Sequence, residues 1–235
     1  MGSTMKILAG ADFHGFKPAF ESFAQKAEDS GVNIMILCGD ITNFGTEQQA
    51  RSLLSPLSRL NVPALFVPGN CDPPSLININ LGNIRCIHGS GFIYDDFAFI
   101  GVGGSPKTPF NTPLEMDEGE ISGVLRKCLK DLGDGINGFR TILISHAPPK
   151  NTRLDMASLG GHVGSISVRS FIEEYKPILT LCGHIHEAKG IDSIGSTLIV
   201  NPGPSKHGNC AIINISEGGI KVELHTFKTI KNTKS

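Results

Sequence analysis

Five short apolar runs in this chain end in the same way, and that repetition constrains the fold more than any other feature. Each run passes within a few residues into a small polar cluster. Residues 6–9 lead to Asp12 and His14, and residues 32–38 lead to Asp40. Residues 64–67 lead to Asn70 and Asp72, 141–145 to His146, and 177–181 to His184 and His186. The run 32–38 has one polar member, Asn33, and no alternation, which is the pattern of a strand buried on both faces. Segments of helical spacing separate the runs. Phe20, Phe23, Ala24 and Ala27 give 17–29 an apolar face, and Ala50, Leu53, Leu54, Leu57 and Leu60 do the same after Thr46. Strand and helix in alternation predict an α/β fold, in which ligands gather beyond the carboxyl ends of the strands.

Local signals set the boundaries. Pro18 suits a first helical turn and Ser30-Gly31 a stop. Thr46 and Gln49 have capping-box spacing, and Pro56 is expected to kink or shorten the second helix. The middle changes character: 83–87, 91–94 and 97–102 are strand-like and close together, which predicts hairpins. An irregular stretch to Glu115 and a helix over 117–132 follow. The polar, Gly-rich loop 150–164 has the length of a functional loop. Ser165 or Ser167 caps a helix reaching Tyr175. A strand at 197–200, the turn Asn201-Pro202-Gly203-Pro204 and a hairpin of 209–215 with 219–227 complete the chain. One domain over 5–230 is expected, with Met1 to Thr4 as a cloning remnant before a natural start at Met5.

The formal net charge of −1 gives no basic field for nucleic acid or an anionic membrane. No apolar run approaches the ~20 residues of a membrane span, and the polar first residues carry no secretory signal. The six cysteines lack close pairing and any CxxC. The expectation is a cytoplasmic protein with free thiols.

The polar clusters hold metal-ligand chemistry. Asp12, His14, Asp40, Asn70, His146, His184 and His186 offer three oxygen donors and four imidazoles. One ion takes about four to six ligands, so the set suits two ions sharing a carboxylate. In extended chain His184 and His186, one residue apart, point the same way. Singly, each of these residues reads as a cap or a loop residue; the ordered set does not.

The order Asp-x-His, Gly-Asp, Gly-Asn-x-Asp, His, Gly-His-x-His resembles the calcineurin-like metallophosphoesterases, over most of the chain. The resemblance implies a four-layer α/β/β/α sandwich of two mixed sheets flanked by helices. It also implies two divalent metal ions, of Mn, Fe, Ni, Co or Zn, and a small-molecule phosphate ester as substrate. Asp12, His14 and His186 would hold one ion, Asn70, His146 and His184 the other, and Asp40 both. A metal-activated hydroxide would attack phosphorus in line. Many members have histidine where this chain has Cys71, at the position assigned to the leaving-group step. A subgroup of small bacterial and archaeal phosphodiesterases resembles this chain in carrying cysteine there, which favours a diester. His162, ahead of a helix N-terminus, is the candidate replacement, and Asp72 supports its neighbour or the loop. The competing readings are a nuclease, which usually carries a basic surface, and a non-catalytic interaction scaffold, which usually lacks some ligands.

Overall fold

The computed structural model describes residues 3–158 and 160–228. Positions 1, 2, 159 and 229–235 lie outside the described residues, among them part of the expected cloning remnant and the last two positions of the 5–230 domain. The first half alternates strand and helix: β1 (Met5–Gly10), α1 (Lys17–Ser30), β2 (Ile34–Cys38), α2 (Glu47–Ser58) and β3 (Ala64–Val67). Short strands β4 (Asn80–Leu81), β5 (Ile84–Cys86), β6 (Gly91–Tyr94) and β7 (Phe97–Val102) follow. Then come α3 (Glu118–Leu132), β8 (Arg140–Ser145), α4 (Ile166–Tyr175), β9 (Leu179–Leu181), β10 (Gly190–Ile194) and β11 (Thr197–Asn201). The hairpin β12 (Asn209–Ser216) and β13 (Gly219–Thr226) ends the described chain.

The strands form two mixed sheets, one in the order β13-β12-β1-β2-β3-β5-β4 and one in the order β10-β11-β9-β8-β7-β6. Strands β1, β2, β3 and β5 run parallel in the first; β7, β8, β9 and β11 run parallel in the second. The burial of β2 shows why its sequence lacks alternation. Ile34, Ile36 and Cys38 face the second sheet, among Phe97, Phe99, Ile142 and Ile144. Met35 and Leu37 face α1 and α2, among Phe20, Phe23 and Leu54. A third core joins Ile100 and Leu143 to Leu125, Phe171 and Ile172 of α3 and α4. Each buried side chain of this size contributes about 1.5–3 kcal/mol. The result is the four-layer α/β/β/α sandwich.

Helix ends follow the expected chemistry. Gly31 closes α1 at φ 58°, and Thr46 and Gln49 form a reciprocal capping box on α2. Ser165, not Ser167, caps α4. Helix α2 continues through Pro56 and ends two residues later. Pro56 has no N–H for the Ser52 carbonyl, which accepts from Ser55 Oγ instead (2.9 Å).

The middle differs in part from expectation. β6 and β7 form a hairpin, but β5 pairs parallel with β3 in the other sheet. The chain changes sheets between β5 and β6, a long-range choice that short apolar runs do not encode. Strand β10 was not expected: Gly190–Ile194 has one charged and one hydroxyl residue and forms a half-exposed edge on β11.

Candidate metal centre

The polar clusters meet because the two sheets deliver their strand ends to one place. His184 N donates to Asp12 Oδ1 (3.1 Å), and the His146 ring meets the Cys38 carbonyl. Four of the seven expected ligands, Asp12, His14, Asp40 and His184, have left-handed backbone, with φ of 55, 45, 51 and 69°. Such conformations cost about 1 kcal/mol or more each and cluster at functional sites. Here they are held by bonds across the loops, Asp12 N to Gly39 O (3.1 Å) and His14 N to Asp40 O (2.8 Å). The extended reading of 184–186 is corrected by the same feature. His184 turns at φ 69° and His186 begins a 3-10 turn, so the imidazoles diverge. His184 packs against His146 and His186 against His14, with ring centroids 5.0 and 4.9 Å apart.

His186 and His14 belong to a first donor set. Asp12, His14, Asp40 and His186 each offer one ligand atom, all within 4.8 Å of one another. His14 Nε2 lies 2.9 Å from His186 Nε2 and 3.3 Å from Asp40 Oδ2, and His186 Nε2 lies 3.5 Å from Asp12 Oδ1. Donors about 2.0–2.2 Å from a shared ion have this spread. Burial, with the Lys206 charge, lowers the His14 imidazole to about 4 against the pull of Asp12, so it is neutral and able to ligate. Burial pushes the Asp12 carboxyl up, but the His186 hydrogen bond and the His146, His186 and His14 charges outweigh it, and Asp12 sits below its ordinary value.

A second set faces the other oxygen of Asp40. His146 Nε2 lies 3.7 Å from Asp40 Oδ1 and 2.9 Å from Asn70 Oδ1. His146 Nδ1 is 2.8 Å from the Cys38 carbonyl, which only accepts, so Nδ1 carries a hydrogen. In the neutral ring Nε2 is then a lone pair facing two acceptor oxygens. With the oxygen end of the Asn70 amide on that side, the arrangement needs a cation, either a proton on the ring or a metal among the three atoms. Burial lowers the His146 pKa, yet Asp40 and Asp12 outweigh it and hold the ring above its ordinary value. Burial and His146 lower His184 to about 3. Burial and the Asp12 charge push the Asp40 carboxyl up against His146 and the Cys71 N–H. The residues present therefore fit divalent ions: buried carboxylates, neutral imidazoles at His14 and His184, and an acceptor cluster around His146 Nε2.

Asp72 touches none of the ligand atoms directly. Its Oδ2 accepts from Gly69 N (2.8 Å) and Ile41 N (2.9 Å), and its Oδ1 from Thr42 N (2.7 Å) and Thr42 Oγ1 (2.8 Å). It thus ties the Asp40 loop to the Asn70 loop. Burial and the Asp40 charge push its carboxyl up to about 6 against those donors. Gly69 has no room for a side chain: a Cβ there would collide with Asp40 Oδ1. Cys71 is buried, and its N–H donates to Asp40 Oδ1 (2.9 Å). Burial, then the Asp40 charge and hydrogen bond, push the thiol well up, so it stays protonated at neutral pH.

His162 stands apart from both sets. Its Nδ1 bonds Asp155 Oδ1 (2.7 Å), and it lines a cavity of about 550 Å³ with Met156 and Asp192 that includes none of the seven ligands. Asp155, fully buried, also accepts from Asn151 N, Thr152 N and Gly164 N, and so organises the long loop. The sequence reading passed over Asp155, although Thr152-x-x-Asp155 has capping-box spacing. It also read Asn201 as a turn residue in preference to one near the site. Asn201 makes that turn, accepting from Gly203 N (2.9 Å), and its Nδ2 also donates to Ile185 O (3.0 Å), between the two histidines. All six cysteines are free and buried, and among the described residues no helix is long and apolar enough to cross a membrane.

Known proteins resemble this chain in sequence or in fold. An uncharacterized protein of Methanocaldococcus jannaschii is 39% identical over 209 residues, covering 86% of this chain and 90% of that protein. The crystal structure of TT1561 of Thermus thermophilus superposes with a TM-score of 0.75 at 21% identity, covering 95% of this chain and 99% of that one. A dimetal phosphatase from Danio rerio gives 0.62 at 13% identity, covering 95% and 99%. At these identities the two structures establish likeness of fold. The family model "Metallophosphoesterase, calcineurin superfamily" matches residues 48–227, which leaves the Asp12, His14 and Asp40 blocks ahead of the match. With that match over most of its length, the chain belongs to the metallophosphoesterases of the calcineurin superfamily.

Proposed function

We propose that the chain hydrolyses a small-molecule phosphate ester, a diester in preference to a monoester, at a centre of two divalent ions that share Asp40. The observation that supports this most is Asp40 itself, with Oδ2 toward His14 and Oδ1 toward His146. Asp12, His14 and His186 would hold one ion, and Asn70, His146 and His184 the other. When bound, such a pair would supply a water activated near neutral pH for attack in line with the ester bond and would offset charge on the phosphoryl group. The chain's own contribution is orientation. The Cys38 carbonyl fixes the His146 tautomer, Asp12 receives the His184 N–H, and Asp72 holds the two loops that flank Asp40. Mixed nitrogen and oxygen donors accept Mn, Fe, Co, Ni or Zn. The Danio rerio structure, that of a dimetal phosphatase, supports the two-ion reading by likeness of fold. The diester preference rests on the resemblance carried by Cys71.

The test is hydrolysis of bis(p-nitrophenyl) phosphate and p-nitrophenyl phosphate with each metal in turn. Faster diester turnover supports the reading; metal binding with no turnover of either ester favours a scaffold, and cleavage of DNA ends a nuclease. Cys71→Ala is expected to change kcat by less than about tenfold with metal content unchanged, because a protonated, buried thiol is a poor acid. We assign the leaving-group proton to His162, anchored through Nδ1 on Asp155; it meets neither donor set, so it would act on a leaving group that extends from the ions to its loop. Its loop is fastened beside the centre where Ser158 Oγ donates to Glu187 (2.6 Å), the residue after His186. His162→Ala is expected to lower kcat by about 10²-fold or more, as for loss of a general acid. Unchanged turnover on an aryl and an alkyl diester would remove the assignment.

A further inference from the structure

We propose that Thr112 and Glu115 are positioning residues that set the orientation of the Asn70 amide and so decide whether the second ion binds. The inference rests on Asn70 as a ligand of that ion. An asparagine amide has two ends of nearly equal size, and only the oxygen end can ligate a metal. Nothing in the His146 ring chooses between them, since a protonated ring would suit the oxygen and a neutral one the nitrogen. The choice is made on the other side of the amide.

Asn70 Nδ2 donates to Thr112 Oγ1 (3.0 Å), and Thr112 Oγ1 donates to Glu115 Oε1 (2.7 Å). A hydroxyl has one hydrogen. With that hydrogen committed to an acceptor-only carboxylate, Thr112 presents lone pairs to Asn70, and the amide must answer with N–H. Asn70 Oδ1 is thereby turned to His146 Nε2, 2.9 Å away. The opposite amide orientation would set Oδ1 against those lone pairs. The relay runs in one direction: carboxylate, hydroxyl, amide, ion.

The carboxylate end is itself fixed. Glu115 Oε1 also accepts from Thr112 N (2.9 Å) and Thr108 Oγ1. Partial burial pushes the Glu115 carboxyl up, but these donors outweigh it and hold it down to about 2, so it is acceptor-only near neutral pH. The loop is also tied to Asn70 through the backbone, Leu114 N to Asn70 O (3.1 Å), and Leu114 O receives Ser105 N (3.2 Å). The irregular stretch that ends at Glu115 thus holds both the backbone and the side chain of one candidate ligand.

The experiment is titration of the metal-depleted full chain with Mn²⁺ by calorimetry, with Tm recorded for each variant. Thr112→Val keeps the shape of the side chain and removes the relay. It is expected to weaken the second Mn²⁺ by about 10- to 100-fold while the first binds as in the parent. Thr112→Ser restores the hydroxyl and is expected to restore the second ion to within about threefold. Glu115→Gln leaves an amide that can accept or donate, and is expected to fall between the two. Parent affinities for both ions in Thr112→Val would overturn the inference, as would equal loss of both ions with a lowered Tm and no rescue by serine. Asn70→Ala separates this from the underlying reading. If Asn70→Ala loses the second ion and Thr112→Val does not, the relay alone fails; if Asn70→Ala loses neither, the ligand assignment fails.

Discussion

Asp40→Asn is expected to lower phosphodiester turnover by about 10³-fold, the scale of losing a preorganised electrostatic contact at a reacting centre. The substitution keeps the shape of the side chain. Its remaining oxygen can keep the bond from Cys71 N, now 2.9 Å from Asp40 Oδ1. The amide nitrogen then falls where Oδ2 stands 3.3 Å from His14 Nε2, and nitrogen of an amide is no ligand. On the proposed assignment one ion would lose its share of the bridge, and both would lose the negative charge between them. Stability should move the other way. Burial and the nearby Asp12 charge work against an ionised Asp40 in the metal-free chain, so removing that charge should leave the metal-free Tm unchanged or higher. The gain in Tm on adding metal should shrink, because stabilisation by a ligand scales with its affinity. An ordinary destabilising mutation would lower the metal-free Tm, so the two signs separate a lost bridge from a damaged fold.

Asp72→Ala is expected to act through the fold. It removes the acceptor for three backbone N–H groups and one hydroxyl, all recorded by distances of 2.7 to 2.9 Å. A buried donor left unpaired costs about 1–3 kcal/mol, and relaxation of the loops recovers part of the sum. A net loss of about 3 kcal/mol or more corresponds to a fall in Tm of about 6–12 °C for a chain of this size. Calorimetry of the metal-free protein checks it. Turnover should fall as well, since the released loops are those that carry Asp40 and Asn70. Asp72→Asn should do little better: Oδ2 now accepts from Ile41 N and Gly69 N, and an amide nitrogen in its place would face two donors. Near-parent stability for both variants would show that the loops are held by other means.

The continuous run of β2 was legible in the sequence because both its faces are buried, and Thr46 with Gln49 was legible because a capping box is a local device. The seven candidate ligands stood out because each follows a strand, and strand ends are where a parallel sheet gathers side chains. Strand β5 was harder, since three residues say nothing about which sheet they join. The directions of His184 and His186 were misread because a left-handed residue breaks the period-two rule, and histidine gives no warning of one. Asp155, Asn201, Thr112 and Glu115 left fainter marks. They are polar residues in loops, and their importance lies in which backbone atom or ligand they meet across the chain. Both Thr152-x-x-Asp155 and Thr112-x-x-Glu115 have the spacing of a capping box. In such loops that spacing marks a carboxylate fixed by local donors, and it was visible in advance.

Asp40 is proposed as one carboxylate standing between two metal sites. Counting metal ions per chain in protein saturated with Mn²⁺ and then desalted, by inductively coupled plasma mass spectrometry, tests that arrangement. The parent should hold two ions per chain, and Asp40→Asn one or fewer. A parent that holds a single ion while hydrolysing the diester, or an Asp40→Asn variant that still holds two, would contradict it.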